Sequence, residues 1–384
     1  MSRFRLLLLG NPNSPFVKDY VKNLRDQQPG WRIDCLTHKL PENDTTPFDQ
    51  VYINHLCLWW LAKIGSRARI GWLLGVIIWT FWRQNRCRYD AVQIHYASII
   101  HDYAMPWYRL ASRRILISFW GSDLLREKRT DILTKMIRQA DTVSCQTPLM
   151  AKAIHSLVPT AAVCLQRFAL NTLAAIDILK NQPQQLAALQ QSLGLEKNHP
   201  MITLGYSASP GQQHVAILQA LIARQHEFES CHFVLPMTYG GSAAYIEKIR
   251  QLTDQSSLQV LILTDYMSAE QIAALRLVCR IFVHLQPTDA LSGSMQEHLY
   301  AGNQVITGDW LDYQVLTDEG IELTQIPSVA ELPDALLAAL KQDMPSPSQV
   351  AAQRAAIERL SAPLPVTLAW VNFLQGNVRP YNAQ

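Results

Sequence analysis

The chain has 384 residues, which suits two domains of ordinary size, and 48% of them are apolar, enough for two hydrophobic cores. The formal net charge of +3 is small, so the composition argues against a protein that binds nucleic acid chiefly through its charge. Seven cysteines are scattered without a CxxC pair or a Cys/His ligand spacing, which indicates reduced thiols in a cytoplasmic protein and no structural zinc site.

The chain begins with an apolar run at residues 6–9, which Gly10, Asn11 and Pro12 interrupt. This run is too short for a signal peptide and predicts a buried first strand. Similar runs and periodic patterns predict the other elements of the first half. Strands are expected at 5–9, 32–36, 91–95, 114–119, 142–145 and 162–165, and helices at 15–25 and 131–139.

Residues 56–88 are unusually rich in tryptophan and arginine. Arginines flank an apolar core at 70–82, which is shorter than the roughly twenty residues of a membrane-spanning helix. Tryptophans at the edges of such a segment, with arginines outside them, are typical of a helix that lies on an anionic membrane surface. The alternative is a buried helix whose arginines extend to the solvent. We therefore expect a membrane-contact helix here, peripheral on a bilayer surface.

In the second half, strand-like runs alternate with helical patterns. The strands are predicted at 201–206, 232–236, 259–263, 280–285 and 304–307, and the helices at 212–224, 243–252 and 269–278. Two helix starts carry the spacing of a capping box, Ser268 with Gln271 and Ser328 with Glu331. This alternation predicts a parallel sheet with right-handed crossovers, which binds its ligands beyond the carboxyl ends of the strands.

The whole pattern predicts an α/β protein with two Rossmann-like, doubly wound domains. The stretch 171–199 is rich in Gln, Ala and Leu and is interpreted as a linker that holds a polar helix. The N-terminal domain would then span 1–170 and the C-terminal domain 200–364. Residues 365–384 would form a last helix and tail.

One loop combines small residues with two acids at the start of a helix. After the strand predicted at 280–285 come Asp289, Ser292 and Gly293, and the following helix carries Glu297. The N-terminus of a helix offers unpaired N–H groups and a positive dipole end to a phosphate. A carboxylate on that helix accepts hydrogen bonds from sugar hydroxyls. The alternative is an ordinary loop and helix with solvated acids.

This loop resembles the acid-x7-acid signature of retaining GT-B glycosyltransferases of polysaccharide and lipopolysaccharide assembly, with Asp289 where Glu is usual. Four further segments resemble, in order and spacing, the bacterial transferases that add an acetamido-dideoxygalactose unit to enterobacterial common antigen. They are 118–124, 204–214, 234–247 and 263–276. The resemblance implies two Rossmann-like domains that face a cleft, with a C-terminal helix in 365–384 that crosses back to the first domain. It also implies a cytoplasmic enzyme that is peripheral on the inner membrane.

The resemblance also implies a site for a nucleotide-sugar donor, with Glu297 on the ribose. The loop after the first strand of the second domain would face the phosphates, although it lacks the basic residue that is common there. His214 and Arg167 are candidates for the missing charge. The expected donor-binding residues are Ser207, Ser209, Tyr239, Gly240, Asp265, Asp289, Ser292, Gly293, Ser294 and Glu297.

Three residues of the first domain are candidates for acid–base work on the acceptor. Asp123 follows a strand and fits a general base, or alternatively caps the next helix. His95 and His101 lie at or just beyond another strand end, where a histidine is either catalytic or structural. Trp120 stands where retaining relatives often carry His, which counts against a retaining mechanism. We expect no metal site and no cofactor other than the nucleotide-sugar substrate.

The sequence therefore predicts a glycosyltransferase that moves a sugar from a nucleotide-sugar to a lipid-linked or surface glycan. Two alternatives remain at this level. A nucleotide-sugar epimerase can share the fold but needs no lipid acceptor. A non-catalytic scaffold of a polysaccharide assembly complex would explain why the expected phosphate-binding loop lacks a basic residue.

Overall fold

The computed structural model describes residues 4–42, 45–61, 66–83, 88–195 and 199–381. Its strands are β1 Arg5–Leu9, β2 Arg32–Thr37, β3 Gln50–Ile53, β4 Tyr89–His95, β5 Ser112–Ser118, β6 Thr142–Cys145, β7 Val163–Leu165, β8 Met201–Leu204, β9 His232–Pro236, β10 Gln259–Leu263, β11 Ile281–His284, β12 Gln304–Gly308 and β13 Thr324–Ile326. Its helices are α1 Pro15–Gln27, α2 His55–Leu61, α3 Ser66–Arg83, α4 Met105–Ala111, α5 Ser122–Leu125, α6 Thr130–Gln139, α7 Pro148–Leu157, α8 Thr172–Lys180, α9 Pro183–Ser192, α10 His214–Ile222, α11 Ala243–Asp254, α12 Ala269–Val278, α13 Gly293–Ala301, α14 Gln314–Thr317, α15 Leu332–Lys341, α16 Pro347–Ser361 and α17 Pro363–Gln375.

The chain divides into two compact units. Unit 1 contains residues 1–169 and 363–384, and unit 2 contains residues 170–362. The stretch 171–199, interpreted from sequence as a linker, instead begins unit 2 with α8 and α9. Both helices pack on α12, because α8 buries Leu173, Ile176 and Leu179 in the core of this unit.

Unit 1 is built on a parallel sheet, which has seven strands in the described residues, in the order β3-β2-β1-β4-β5-β6-β7. Its interior strand β1 is a run of leucines, and Leu6 to Leu9 are fully buried. A strand that is apolar at every position is typical of a parallel sheet covered on both faces. Helix α1 covers one face with Val17, Tyr20, Val21 and Leu24.

The last helix, α17, completes this unit. It packs on α1 and places Trp370, Phe373 and Leu374 in the same core as β1. The indole of Trp370 donates a hydrogen bond to the carbonyl of Arg167, and the guanidinium of Arg114 donates to the carbonyls of Phe373 and Leu374. The last helix therefore belongs to the first unit.

Unit 2 repeats the architecture with a parallel sheet, six-stranded in the described residues, in the order β10-β9-β8-β11-β12-β13. The strand order reverses between β8 and β11, as it does in unit 1 between β1 and β4. In such sheets the loops on either side of the reversal separate at the carboxyl edge and leave a crevice for ligands. Both units therefore have the Rossmann-like architecture predicted from the sequence.

Of the two capping boxes predicted from the sequence, the structure contains one. Ser268 and Gln271 form the predicted capping box at α12. Ser328 does not cap a helix with its side chain; a 3-10 turn at Val329–Glu331 follows it, and α15 begins at Leu332. The prediction of a capping box there was wrong, since Pro333 starts the α-helix one turn later, at its preferred first-turn position.

Helix α3 lies within the tryptophan- and arginine-rich stretch. Trp72 and Trp79 are buried, and Arg69 pairs with Asp102 at 2.5 Å. Arg83 is also buried and donates to the Tyr52 hydroxyl at 2.6 Å. For these residues the alternative of a packed helix is correct. Side chains of residues 59–61 and the whole of 84–87, which carried part of the membrane prediction, lie outside the described residues.

The opposite face of α3 carries exposed apolar side chains at helical spacing, of which Ile78, Phe81 and Trp82 are more than half exposed. Ile70 and Leu74 extend this face toward the start of the helix, with 44% and 43% exposure. Among the helices formed by described residues, none has the length and apolarity needed to cross a bilayer.

Candidate functional site

The predicted donor-binding residues of unit 2 gather at the carboxyl ends of its parallel strands. Ser207 and Ser209 follow β8, Tyr239 and Gly240 follow β9, and the loop 285–292 follows β11. Because β9, β8 and β11 are neighbours in the sheet, these three loops share one edge. The amide of Ala208 donates to the carbonyl of Tyr239 at 2.7 Å and ties two of the loops together.

The loop after β11 ends at a capped helix. Ser292 is the N-cap of α13, and its hydroxyl accepts a hydrogen bond from the Met295 amide at 3.2 Å. The alternative that Ser292 serves the helix is thus correct for its hydroxyl. Gly293 and Ser294 form the first turn, whose amides are the ones that a helix leaves without intrahelical partners. This turn is suited to an anion.

Glu297 lies one turn into α13 and is buried. Its Oε2 accepts from Nε and Nη2 of Arg276 on α12, both at 3.1 Å, and its Oε1 accepts from the Thr172 hydroxyl at 2.6 Å. A carboxylate has about four acceptor positions, and these three bonds leave about one of them for a sugar hydroxyl. The surroundings fix the orientation of the carboxylate before any ligand arrives.

Asp289, the first acid of the motif, is held by the protein itself. The Tyr313 hydroxyl donates to its Oδ2 at 2.8 Å, and Nε2 of His284 lies 3.4 Å from the same oxygen. Burial raises the pKa of Asp289, but the hydrogen bonds and charge of His284 and the bond from Tyr313 outweigh it, so the net pKa lies below its ordinary value. Asp289 is therefore ionised and anchors its loop at neutral pH.

The loop after β9 approaches the loop after β8 very closely. A Cβ on Gly241 would lie 2.2 Å from the Ala208 carbonyl oxygen, so only glycine fits there. Gly240 has a φ of +81°, a conformation that glycine adopts without strain. Tyr239 is 45% exposed as a side chain, yet burial of its hydroxyl raises its pKa, the charge of Glu297 raises it further and that of Arg276 lowers it. The Tyr239 hydroxyl therefore lies near the ion pair of Glu297 and Arg276.

The two serines after β8 are engaged locally. The Ser207 hydroxyl accepts from the Gln212 side chain at 3.4 Å, and the Ser209 hydroxyl accepts from the Gly211 amide at 3.3 Å. His214, a candidate for the missing charge, is fully buried, and burial lowers its pKa to about 4. It is neutral at pH 7 and supplies no positive charge. Asp265 is exposed in the loop after β10, next to Tyr266.

A cavity of about 340 Å³ lies in unit 1, at the carboxyl ends of its strands. The loops after β1, β2, β4 and β5 contribute to its lining, and Trp72 from α3 contributes as well. Polar lining residues include Asn11, Ser14, Thr37, His38, Lys39, Tyr96 and Ser98. The volume suits a small polar ligand such as a sugar unit.

His95 lines this cavity and is 97% buried, since its exposed fraction is 3%. Neither ring nitrogen has a hydrogen-bond partner, and the ring packs against the rings of Tyr20, Trp120 and Trp370. Burial lowers the pKa of His95 to about 3. A neutral imidazole with unused nitrogens at a cavity wall is suited to exchange hydrogen bonds with a bound hydroxyl.

His101 also lines the cavity, but its Nδ1 lies 2.9 Å from the Tyr108 hydroxyl, which accepts a bond from the Trp72 indole. Burial lowers its pKa to about 3. This chain of three side chains joins α3 and α4, so His101 has a structural role in addition to the acceptor contact predicted for it.

Asp123 is engaged by its own loop. Its Oδ1 accepts from the amides of Trp120 and Gly121 at 2.9 Å, and its Oδ2 accepts from the Ala97 amide at 2.8 Å. Burial raises its pKa to about 6 in spite of these bonds. Asp123 therefore fixes the loops after β4 and β5, which form the cavity wall. Asp123 lies within α5, whose N-cap is Gly121 without a side-chain cap, so it does not cap this helix as the alternative expected. Its role as a general base stays a prediction.

Arg276 and Thr172 are the functional candidates that the sequence did not reveal. They approach Glu297 from positions 21 and 125 residues away. Thr172 lay in the presumed linker, and Arg276 lay in a segment quoted only for its resemblance. Among the described residues no group of three or more His, Cys, Asp or Glu side chains is placed to hold a metal ion.

Residues 5–147 match the family described as "Glycosyl transferase 4-like", which is less than half of the chain. Among curated proteins, none is similar enough in sequence to match. The family match falls within unit 1 and includes His95, His101 and Asp123.

Solved structures resemble the whole chain. A glycosyltransferase from Rickettsia africae has a TM-score of 0.72 at 13% identity, covering 98% of this chain and 100% of its own. An Anabaena protein in complex with UDP and glucose has a TM-score of 0.68 at 14% identity, with 97% and 100% covered.

An α,α-trehalose-phosphate synthase from Burkholderia xenovorans, in complex with glucose-6-phosphate, has a TM-score of 0.70 at 12% identity, with 97% and 100% covered. At such low identity the likeness concerns the fold. The chain therefore has the α/β fold of GT-B glycosyltransferases, with a parallel sheet of Rossmann-like order in each unit.

Proposed function

We propose that the protein is a glycosyltransferase that uses a nucleotide-sugar donor and needs no metal or further cofactor. The observation that carries this proposal is the Glu297 carboxylate, held by Arg276 and Thr172 one turn into α13. The helix start beside it is suited to a diphosphate, and the carboxylate retains about one acceptor position for a ribose hydroxyl. The family match at residues 5–147 supports the same reaction class.

The donor is proposed to carry uridine diphosphate. A structurally similar protein from E. coli was solved with UDP-2-fluoro glucose, and the Anabaena protein with UDP and glucose. Tyr239 and Tyr206 would pack on the donor, since their phenol groups lie near each other at the edge of the sheet and that of Tyr239 also lies near Glu297. Asp265 would reach the base from the loop after β10.

The acceptor is proposed to bind the cavity of unit 1. His95 offers unpaired ring nitrogens there, and Asn11 and Thr37 offer further polar groups. Trp120 and Trp72 provide flat apolar walls, which suit the faces of a sugar ring. These groups support the proposal that the acceptor is a glycan.

We further propose that this glycan is lipid-linked and that the protein lies on the inner membrane surface. Trp72 on one face of α3 lines the cavity, while the other face exposes Ile78, Phe81 and Trp82. An apolar helix face of this kind partitions into the headgroup region of a bilayer. One helix would thus bring the membrane close to the acceptor.

Titration of the protein with UDP, GDP and dTDP tests the donor site. We expect one nucleotide to bind and Glu297→Gln to weaken it at least about tenfold, or 1.4 kcal/mol. The Gln variant is chosen because it keeps the size of the side chain: its single carbonyl oxygen can accept from Arg276, while its NH₂ group can donate to the Thr172 hydroxyl. Glu247→Gln, on exposed helix α11, is the control and should bind as the wild type does.

Failure of the folded wild type to bind any of the three nucleotides would refute the donor site and favour a scaffold. Turnover of a free nucleotide-sugar without any acceptor would instead identify an epimerase. Transfer of sugar to a membrane glycan fraction, lost in the Glu297 variant, would establish the proposed reaction.

A further inference from the structure

The proposed donor site lacks an obvious cation for the diphosphate. The segment from Gly205 to His214 contains no Lys or Arg, and His214 is buried and neutral at pH 7. A nucleoside diphosphate carries two to three negative charges, and a helix start alone supplies only about half a charge to oppose them. A positive group is therefore needed from another element.

Arg276 reaches this position from α12. Its Nη2 donates to the Ser294 hydroxyl at 2.9 Å, in the first turn of α13. The residue is 4% exposed, and its Nη1 has no hydrogen-bond partner. A buried guanidinium N–H without a partner is costly, and a phosphate oxygen is the acceptor that it fits best.

The other described arginines of unit 2 are engaged with other groups. These are Arg224 with Glu227 and Asp334, Arg250 with Glu247, Arg280 with the carbonyls of Leu340 and Gln342, Arg354 with Asp177 and Arg359 with Glu319. Arg276 is the one among them that touches the start of α13.

We propose that Arg276 supplies the positive charge that the loop after β8 lacks and binds the diphosphate of the donor. The Ser294 hydroxyl, which accepts from Nη2, helps to orient the guanidinium. This inference rests on the proposed function and specifies its donor site. Glu297 then holds Arg276 in position and also accepts a hydrogen bond from the ribose. In the reaction, the fixed guanidinium would stabilise the charge that develops on the departing nucleoside diphosphate.

Comparison of a nucleoside diphosphate with its nucleoside tests this role. Wild type and Arg276→Gln are titrated with the diphosphate that wild type binds, and nucleoside binding is followed by ligand-observed NMR. A charge-assisted bond to phosphate predicts that the variant loses about tenfold or more in affinity for the diphosphate. Affinity for the nucleoside should change less than about twofold, because the nucleoside has no phosphate.

Two variants act as controls. Arg276→Lys keeps the charge and should recover part of the lost affinity, and Arg280→Gln, which removes a guanidinium bonded to carbonyls elsewhere, should change neither affinity. If Arg276→Gln does not fold by circular dichroism, Ser294→Ala replaces it. That change leaves the pair with Glu297 intact, and it should weaken the diphosphate and spare the nucleoside.

Equal loss of both affinities would overturn the inference, since it would mean that Arg276 only positions Glu297. Unchanged diphosphate binding in folded Arg276→Gln would overturn it as well, while leaving the donor site in place. Absence of any nucleotide binding by wild type would overturn the proposed function and this inference together.

Discussion

The carboxylate of Asp123 organises the wall of the unit 1 cavity through three backbone amides. A side chain with one strong acceptor atom cannot serve all three, because asparagine would place its NH₂ group against an amide N–H. The bonds join the loop after β4, at Ala97, to the loop after β5, at Trp120 and Gly121. Asp123 therefore acts on the cavity chiefly through the backbone.

Asp123→Asn should lower the free energy of unfolding by about 1–3 kcal/mol, the usual cost of a buried donor left without its acceptor. Urea unfolding followed by tryptophan fluorescence measures this change. Asp131→Asn, on an exposed position of α6, is the matched control and should leave the midpoint unchanged. Equal stability of both variants would show that the three bonds contribute nothing.

His95 makes the stability of unit 1 sensitive to acid. Burial lowers its pKa to about 3 from an ordinary 6.5, so below pH 6.5 the unfolded chain takes up a proton that the folded chain does not. The free energy of unfolding therefore falls as pH falls from 6.5 toward 3. The raised pKa of Asp123 acts in the opposite direction between pH 4 and 6, so variants must be compared.

His95→Phe should reduce the dependence of the unfolding free energy on pH, by up to about 1.4 kcal/mol per pH unit below 6.5. Urea unfolding at pH 5, 6 and 7 gives the slope for each variant. His55→Phe, at an exposed position, should leave the slope as in wild type. An unaltered slope in His95→Phe would contradict the neutral, buried state of this histidine.

Individual contacts were the part of the site least accessible from sequence. The acid-x7-acid spacing drew attention to Glu297 because both acids of the motif lie in one continuous segment, the loop before α13 and the start of that helix. The partners Arg276 and Thr172 could not be found this way, since only the packing of α8 and α12 on α13 brings them together. The roles of His95 and Asp123 were left open because the burial and the hydrogen bonds of these side chains are not visible in a strand-end position.

At the level of elements, the apolar strands were predicted best. The strands at His232–Pro236 and Gln259–Leu263 and the helix at Ala269–Val278 have the predicted bounds. The strands at Gln50–Ile53 and Thr324–Ile326 were missed, since each is a short edge strand with polar or exposed residues. Short edge strands bury too little apolar surface to show a pattern.

Helix α3 makes a testable prediction about lipid. The double variant Ile78→Ser/Phe81→Ser removes two large side chains from its exposed face. Partition into vesicles with anionic lipid should weaken about tenfold or more, since each apolar side chain withdrawn from lipid costs on the order of 1 kcal/mol or more. Vesicle co-sedimentation measures this, and Ile178→Ser, equally exposed on α8 in unit 2, is the control.

Absence of vesicle binding by wild type would contradict the membrane proposal. Sedimentation velocity then tests whether the exposed face of α3 joins two copies of the chain instead. In that case the wild type would self-associate and the double variant would be monomeric. Equal weakening by the double variant and by Ile178→Ser would show that the α3 face is not special.

For the whole molecule, the division into units was visible in the alternation of strands and helices, whereas the boundary was not. The polar composition of 171–199 indicated a linker, yet a few leucines and isoleucines at helical spacing suffice to pack α8 on α12. The return of the last helix to the first unit was expected only from the resemblance.

Unit 1 should depend strongly on α17. Trp370→Ala removes a fully buried indole and its hydrogen bond to Arg167, and should cost about 3–5 kcal/mol. Thermal unfolding and limited proteolysis measure the effect, which should appear as early cleavage in residues of unit 1. Leu368→Ala, on the same helix but 45% exposed, should behave nearly as wild type.

Synthesis of unit 1 begins first but ends last, because its final segment follows unit 2 in the chain. The strands of unit 1 leave the ribosome first, but Trp370 and Phe373, which fill its core, follow only after all of unit 2 has been made. Unit 2 is continuous in the chain and can close its own core while unit 1 still exposes apolar surface. During translation, the amino-terminal half is thus the part that needs protection from aggregation.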